Sequence, residues 1–122
     1  MANVLVVDDA LFMRKMLSDI FAKGGHQVIG QAENAKQAVT LYKKLKPDLV
    51  TLDIVMPEVD GMDSMKAIEE ILALDKRAKI VMVSAMGQQE LVVQSIRAGA
   101  KDFIVKPFEP EQVTEAVRRL LE

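Results

Sequence analysis

The stretch Val4-Leu5-Val6-Val7-Asp8-Asp9 decides the fold, because a run of apolar residues stops there at a pair of carboxylates. Two later runs end in the same way: Leu49 to Leu52 stops at Asp53, and Phe103 to Val105 stops at Lys106. If these runs are buried parallel strands, their carboxyl ends meet at one edge of a sheet, where open α/β folds bind ligands. We therefore predict that three carboxylates and one ammonium share one small site.

Apolar runs alternate with helical patterns over the whole chain, which is typical of repeated βα units and a parallel sheet. The second strand is more polar than the others and is expected at an edge, whereas continuous apolar runs suit strands covered on both faces. We predict a doubly wound, five-stranded α/β fold with strands near 3–7, 27–32, 48–52, 79–83 and 102–105, and helices near 11–23, 35–45, 62–73, 88–98 and 110–121.

The composition indicates one ordinary globular domain over residues 1–122, with 50% hydrophobic residues and a net charge of −2. This charge gives no support for binding to nucleic acid or to a membrane surface. The absence of cysteine excludes disulfides, thiolate chemistry and sulfur-ligated zinc. Residues 1–7 do not resemble a signal peptide, and no apolar stretch approaches the ~18 residues of a membrane span, so we expect a cytoplasmic protein.

Asp8 and Asp9 are sequence neighbours, so both can serve one site only where the chain turns. An alternative is that one of them simply caps the first helix, because aspartate is a preferred N-cap residue. Asp53 lies in an apolar stretch, where an unpaired charge would be costly to bury. Lys106 is the complementary case, so we expect these two charges to be neighbours.

The chemistry that these residues imply is phosphoryl transfer to a carboxylate. Asp53 would be the nucleophile, while Asp8 and Asp9 would bind a hard cation such as Mg²⁺. Mg²⁺ and Lys106 would neutralise charge on the phosphoryl oxygens during transfer. Ser84 closes the fourth strand at the same edge, where it either caps a turn or donates to a phosphoryl oxygen.

The sequence resembles the receiver domain of two-component response regulators over essentially all of its length. The resemblance is carried by Val-Val-Asp-Asp at 6–9, Leu-Asp-Ile-Val-Met-Pro at 52–57, Asp-Gly at 60–61, Ser-Ala at 84–85, Ala-Gly-Ala at 98–100 and Lys-Pro-Phe at 106–108. It implies the strand order 2-1-3-4-5, Asp53 as phosphoacceptor, and Asp8 and Asp9 as Mg²⁺ ligands together with Asp53. It further implies that the backbone carbonyl of Val55 completes the metal site and that the Lys106–Pro107 bond is cis.

Within this family the chain is most similar to stand-alone chemotaxis receivers, because we expect no linker or output domain after residue 122. The resemblance implies a monomeric, phosphorylation-activated switch, not an enzyme, with a CheA-like histidine kinase as phosphodonor. Its target would be a motor switch protein of a flagellar or archaellar motor, contacted through the fourth helix, fifth strand and fifth helix. The alternative is a single-domain phosphorelay intermediate, or an isolated receiver of a larger DNA-binding regulator.

Phe103 holds the aromatic switch position of this family, and it would rotate into the space that Ser84 vacates on phosphorylation. The fourth helix carries more apolar residues than a single buried stripe requires: Leu91, Val92, Val93 and Ile96. Spacing favours burial of Leu91 and Ile96, and we predict that Val92 is exposed for a partner.

Val55 and Met86 are apolar at positions where fast-hydrolysing receivers often carry polar groups that orient water. We therefore predict slow self-dephosphorylation and reliance on a separate phosphatase.

Two other classes share parts of this pattern. A haloacid-dehalogenase-like phosphatase also phosphorylates an aspartate at a strand end, but it requires a second acid two residues later, where this chain has Val55. A flavodoxin-like binding module has the same topology, but its first loop cradles phosphate, which Asp8 and Asp9 would repel.

Overall fold

The computed structural model describes residues 1–121, which form five strands and five helices in strict alternation. The strands are β1 (Asn3–Val7), β2 (Gln27–Ala32), β3 (Leu49–Asp53), β4 (Ile80–Ala85) and β5 (Asp102–Lys106). The helices are α1 (Leu11–Lys23), α2 (Ala35–Leu45), α3 (Ser64–Leu74), α4 (Gln89–Ala98) and α5 (Pro110–Leu121). Each element lies within two residues of its predicted bounds.

The strands pair in parallel in the order β2-β1-β3-β4-β5, which confirms the doubly wound fold. The polar strand β2 is at one edge, as predicted. Alternate residues of each strand face opposite sides of the sheet. Leu5 and Val7 of β1 therefore join one apolar cluster with α2, α3 and α4, whereas Val4 and Val6 join a second cluster with α1 and α5.

The orientation of α4 differs from the prediction. Val92, predicted to be exposed for a partner, is buried, whereas Ile96, predicted to be buried, is 40% exposed. Val93 is 49% exposed. The prediction was wrong because it placed Leu91 and Ile96 on the buried face, whereas the buried residues of α4 are Val92 and Ser95. Ser95 is fully buried, and its hydroxyl donates to the Val92 carbonyl at 2.7 Å, so this serine and Val92 define the inward face of α4.

Helix α1 also exposes more apolar surface than its pattern predicts. The apolar spacing of Met13, Met16, Leu17, Ile20 and Phe21 predicts one buried stripe, and Met13, Leu17 and Phe21 are buried, but Met16 is exposed. The buried positions repeat every four residues, so Met16 lies at the edge of the buried stripe rather than within it.

Gly99 directly follows α4, has φ 121° and lies against α3. A Cβ atom at this position would lie 2.3 Å from the Cδ1 atom of Leu72 in α3. The backbone conformation therefore favours glycine here, and a larger residue would also displace the Leu72 side chain.

Candidate functional site

The carboxyl ends of β1 and β3 are adjacent, because these strands pair in parallel with Val7 opposite Leu52. Asp8, Asp9 and Asp53 each place one carboxylate oxygen within 4.8 Å of the others. Asp8 and Asp53 are buried, whereas Asp9 is exposed. The predicted convergence of the three acids on one edge of the sheet is therefore present in the structure.

Asp8 is held by the chain around it rather than by the helix that follows. Its N–H donates to the Ala32 carbonyl at 3.0 Å, and one of its carboxylate oxygens accepts from the Ala10 N–H at 2.9 Å. The N-cap position of α1 is Ala10, and no side chain accepts a capping hydrogen bond there. The alternative that Asp8 or Asp9 is present as a helix cap is therefore wrong.

Lys106 links two of the acids. Its Nζ atom lies 3.2 Å from Asp8 Oδ2 and 3.6 Å from Asp53 Oδ1, at the end of β5. The expected pairing of Asp53 with Lys106 is thus present, and Asp8 shares the same ammonium. The Lys106–Pro107 peptide bond is cis, as the resemblance implied.

The pKa of Asp53 is raised from 3.8 to about 6, mainly because the carboxylate is buried and secondly because of the charge of Asp8. The ammonium of Lys106 acts in the opposite direction, followed by a hydrogen bond from the Val55 N–H. A carboxylate so placed is destabilised in its charged form until an additional positive charge comes near. Three acids with converging oxygens fit a hard divalent cation, which prefers carboxylate ligands.

The raised pKa of Asp53 predicts how the stability of the metal-free protein depends on pH. In the folded protein Asp53 keeps its proton up to about pH 6, whereas in the unfolded chain it loses the proton near pH 3.8. The unfolded state therefore binds fewer protons in this window, and the free energy of unfolding falls as pH rises through it. In the presence of EDTA, we expect Asp53→Asn to be more stable than the parent at pH 7 by about 1 to 2 kcal/mol, allowing for solvent screening.

Denaturant unfolding of both proteins at pH 4 and pH 7 checks this expectation, since the difference should nearly vanish at the lower pH. Asp60→Asn is the matched control, because Asp60 is exposed and its hydrogen bond with Lys36 lowers its pKa. This control should show no gain at pH 7. An Asp53→Asn protein less stable than the parent at pH 7 would contradict the electrostatic account.

The peptide unit after Asp53 is held on both edges. The Ile54 N–H donates to the Val83 carbonyl of β4 at 3.0 Å, and the Asp53 carbonyl accepts from the Ser64 hydroxyl at 2.6 Å. The Val55 N–H then lies 3.4 Å from Asp53 Oδ1. The backbone around the central carboxylate is therefore fixed from two neighbouring elements.

A family model described as the response regulator receiver domain matches residues 4–118. The chain belongs to this family.

Chemotaxis receivers are among its most similar relatives. It is 57% identical to the chemotaxis protein CheY of Thermotoga maritima, over 97% of this chain and 96% of that protein. It is 54% identical to the chemotaxis protein CheY of Bacillus subtilis, over 98% of this chain and 97% of that protein. These matches support a CheY-type chemotaxis response regulator.

A solved structure from Borrelia burgdorferi, described as a CheX–CheY–BeF3–Mg²⁺ complex, has the same fold with a TM-score of 0.90. The similarity covers 98% of this receiver and 89% of that chain, at 39% identity. Among residues 1–121 of this receiver, no helix is both long enough and apolar enough to cross a membrane.

Ser84 and Phe103 face the same side of the sheet, toward α4. Ser84 is buried at the end of β4, one residue beyond the Val83 that pairs with Asp53. Phe103 is exposed on β5, where it lines a groove of about 740 Å³ between this strand and α4. Val93 and Ile96 line the same groove. The structure thus places the predicted switch residues together, with Val93 on the open surface where Val92 was predicted.

Two residues that contact the site were missed in the sequence. Arg14 of α1 donates to the Asp8 carbonyl at 2.7 Å and to Gln31 at 3.2 Å, so it fastens the end of β1 to β2. Ser64 is the second. The sequence shows an arginine shortly after the acid pair and a serine directly after the Asp63 cap. Neither residue type indicates which backbone carbonyl it contacts.

Proposed function

We propose that this receiver accepts a phosphoryl group on Asp53, with Mg²⁺ bound by Asp8, Asp9, Asp53 and the Val55 carbonyl. The observation that supports this assignment is the position of Lys106, whose Nζ lies within 4 Å of both Asp8 and Asp53. Asp53 ends the central strand β3, and the charges of Asp8, Asp9 and Lys106 all act on its carboxyl group. Asp9 is exposed, so a phosphodonor can reach the site from the side of this residue.

Asp53, Lys106 and Ser84 each have a separate role in the proposed reaction. An Asp53 carboxylate oxygen attacks the phosphorus in line with the leaving group, which departs with its bonding electrons. The Lys106 ammonium neutralises charge on the phosphoryl oxygens, and the Ser84 hydroxyl donates to one of them. Bound Mg²⁺ supplies further neutralisation of the same oxygens.

The product remains attached to the protein, so the reaction is a switch rather than a turnover cycle. Phosphorylation brings Ser84 toward the new oxygens, and Phe103 moves from the groove toward the space that Ser84 leaves. The surface formed by α4, β5 and α5 changes as a result. We propose that this surface is the output face and that Val93 and Ile96 are its apolar contacts.

The proposed partners follow from this role. A CheA-like histidine kinase is the phosphodonor, and a flagellar or archaellar motor switch protein is the target of the output face. A separate phosphatase resets the switch, and the Borrelia relative was solved with CheX. We propose that the protein is a cytoplasmic monomer that binds neither nucleic acid nor membrane.

Incubation with acetyl phosphate tests the central proposal. With Mg²⁺ present, intact-protein mass spectrometry should detect the addition of one phosphoryl group, and EDTA should prevent it. Peptide mapping after borohydride trapping should place the group on Asp53. Absence of labelling with Mg²⁺, or labelling at a different residue, would contradict the assignment.

Lys106→Ala is expected to separate phosphorylation from switching. Acetyl phosphate should still label this variant, because the three carboxylates remain. The coupling should weaken, because the variant lacks the cation that binds both Asp8 and the phosphoryl group. We expect the gain in affinity for the motor switch protein on adding beryllofluoride to fall about five-fold or more.

The matched control is Lys101→Ala, which removes an exposed lysine immediately before β5, at the end of the strand far from Lys106. Titration calorimetry with and without beryllofluoride gives the coupling for each variant. A Lys106→Ala protein with the same coupling as Lys101→Ala would exclude Lys106 from the switch.

A further inference from the structure

Ser64 is a buried residue at the start of α3, and its hydroxyl donates to the Asp53 carbonyl at 2.6 Å. A serine at this point of a helix commonly acts as a cap. Here Asp63 already has that role, because its side chain accepts from the Lys66 N–H at 2.8 Å. The Ser64 hydroxyl is therefore directed at the candidate site and not at the helix end.

The Asp53 carbonyl and the Ile54 N–H belong to one planar peptide unit. The N–H donates to the Val83 carbonyl in β4 at 3.0 Å, and the carbonyl accepts from Ser64 in α3. Two bonds on opposite edges thus fix the rotation of this plane. Its rotation determines where the chain continues to Val55.

Both functional groups at this point depend on that plane. The Val55 N–H lies 3.4 Å from Asp53 Oδ1, and the Val55 carbonyl is the proposed backbone ligand of the metal. A buried carbonyl that loses its donor is costly to leave unpaired. Without the Ser64 hydroxyl, the peptide plane is free to tilt toward another donor, and both Val55 groups move with it.

We infer that Ser64 is a positioning residue for the phosphoacceptor and its metal site, acting through the 53–54 peptide plane. This inference rests on the proposed function, because it takes Asp53 as the acceptor and Mg²⁺ as the cation. Ser64 itself contacts neither the phosphoryl group nor the cation. Its hydroxyl is instead hydrogen-bonded to the backbone carbonyl of Asp53, the residue that carries the acceptor carboxylate.

The test uses the unphosphorylated protein, so that metal binding is measured apart from phosphoryl transfer. Titration calorimetry with Mg²⁺ should show a dissociation constant about ten-fold higher for Ser64→Ala than for the parent, since partners behind metal ligands commonly contribute this much. Labelling by acetyl phosphate at saturating Mg²⁺ should also slow. Ser64→Thr keeps the hydroxyl and should bind Mg²⁺ more tightly than Ser64→Ala.

Ser95→Ala is the matched control. Ser95 is also a buried serine whose hydroxyl donates to a backbone carbonyl, that of Val92, at 2.7 Å. Both alanine variants remove one buried hydrogen bond and should lose similar stability. We expect only the Ser64 variant to lose affinity for Mg²⁺.

Four outcomes decide the inference. Tight Mg²⁺ binding by Ser64→Ala, an equal loss in Ser95→Ala, or a Ser64→Thr protein no better than Ser64→Ala would each overturn it while the parent still binds Mg²⁺ and accepts label. A parent that neither binds Mg²⁺ nor accepts a phosphoryl group would instead overturn the proposed function, and the inference with it.

Discussion

Asp53→Asn should abolish phosphorylation by acetyl phosphate, lowering the rate at least about 1,000-fold, which is a typical loss when a covalent nucleophile is removed. The amide has nearly the shape of the carboxylate but lacks the charge and the nucleophilic oxygen. The neutral amide also avoids burying the negative charge of Asp53, whose pKa is raised to about 6. The variant should therefore remain folded. Loss of labelling would then report chemistry and not unfolding.

Asp60→Asn provides the matched control for this experiment. It makes the same change of carboxylate to amide on an exposed residue of the loop between β3 and α3. Mass spectrometry over a time course should show normal labelling of this control. Labelling of Asp53→Asn at a rate similar to the control would mean that another residue accepts the phosphoryl group.

The second large effect concerns the lifetime of the phosphorylated protein. Val55 is 51% exposed and Met86 is 78% exposed, and each lies two residues after a residue of the site. Neither side chain has a polar atom with which to orient a water molecule toward the phosphoryl group. We expect hydrolysis to be slow, with the label persisting for minutes or longer when no partner is present.

Polar substitution at these two positions should shorten that lifetime. Val55→Asn combined with Met86→Glu is expected to raise the hydrolysis rate about ten-fold or more, because a positioned polar group can orient or deprotonate the attacking water. Leu74→Asn is the control, since it exposes the same amide at the far end of α3. Loss of label from the parent within seconds would refute the prediction of slow hydrolysis.

The fold and the central acids were predictable because they depend on patterns that the sequence displays directly. Apolar runs at the spacing of βα units predict a parallel sheet, and the charges that end these runs must meet at its carboxyl edge. For this reason, the sequence alone was sufficient to predict that Asp8, Asp53 and Lys106 are neighbours. The family motifs then supplied a role for each.

The remaining features depend on packing that residue type does not reveal. Ser95 is polar, but its hydroxyl is hydrogen-bonded within α4, so it lies on the buried face together with Val92, which was predicted to be exposed. Arg14 and Ser64 act through backbone carbonyls, which every residue possesses. No side-chain pattern could have identified these bonds in advance.

Gly99 has a mechanical consequence for the output face. Because the Leu72 side chain of α3 occupies the position that a Cβ atom of residue 99 would take, the carboxyl end of α4 packs directly against α3. The opposite end follows the loop that carries Met86 and borders the groove around Phe103. A helix held at one end pivots about that end. We therefore expect a small displacement at Ser84 to move α4 most near Gln89 and least near Gly99.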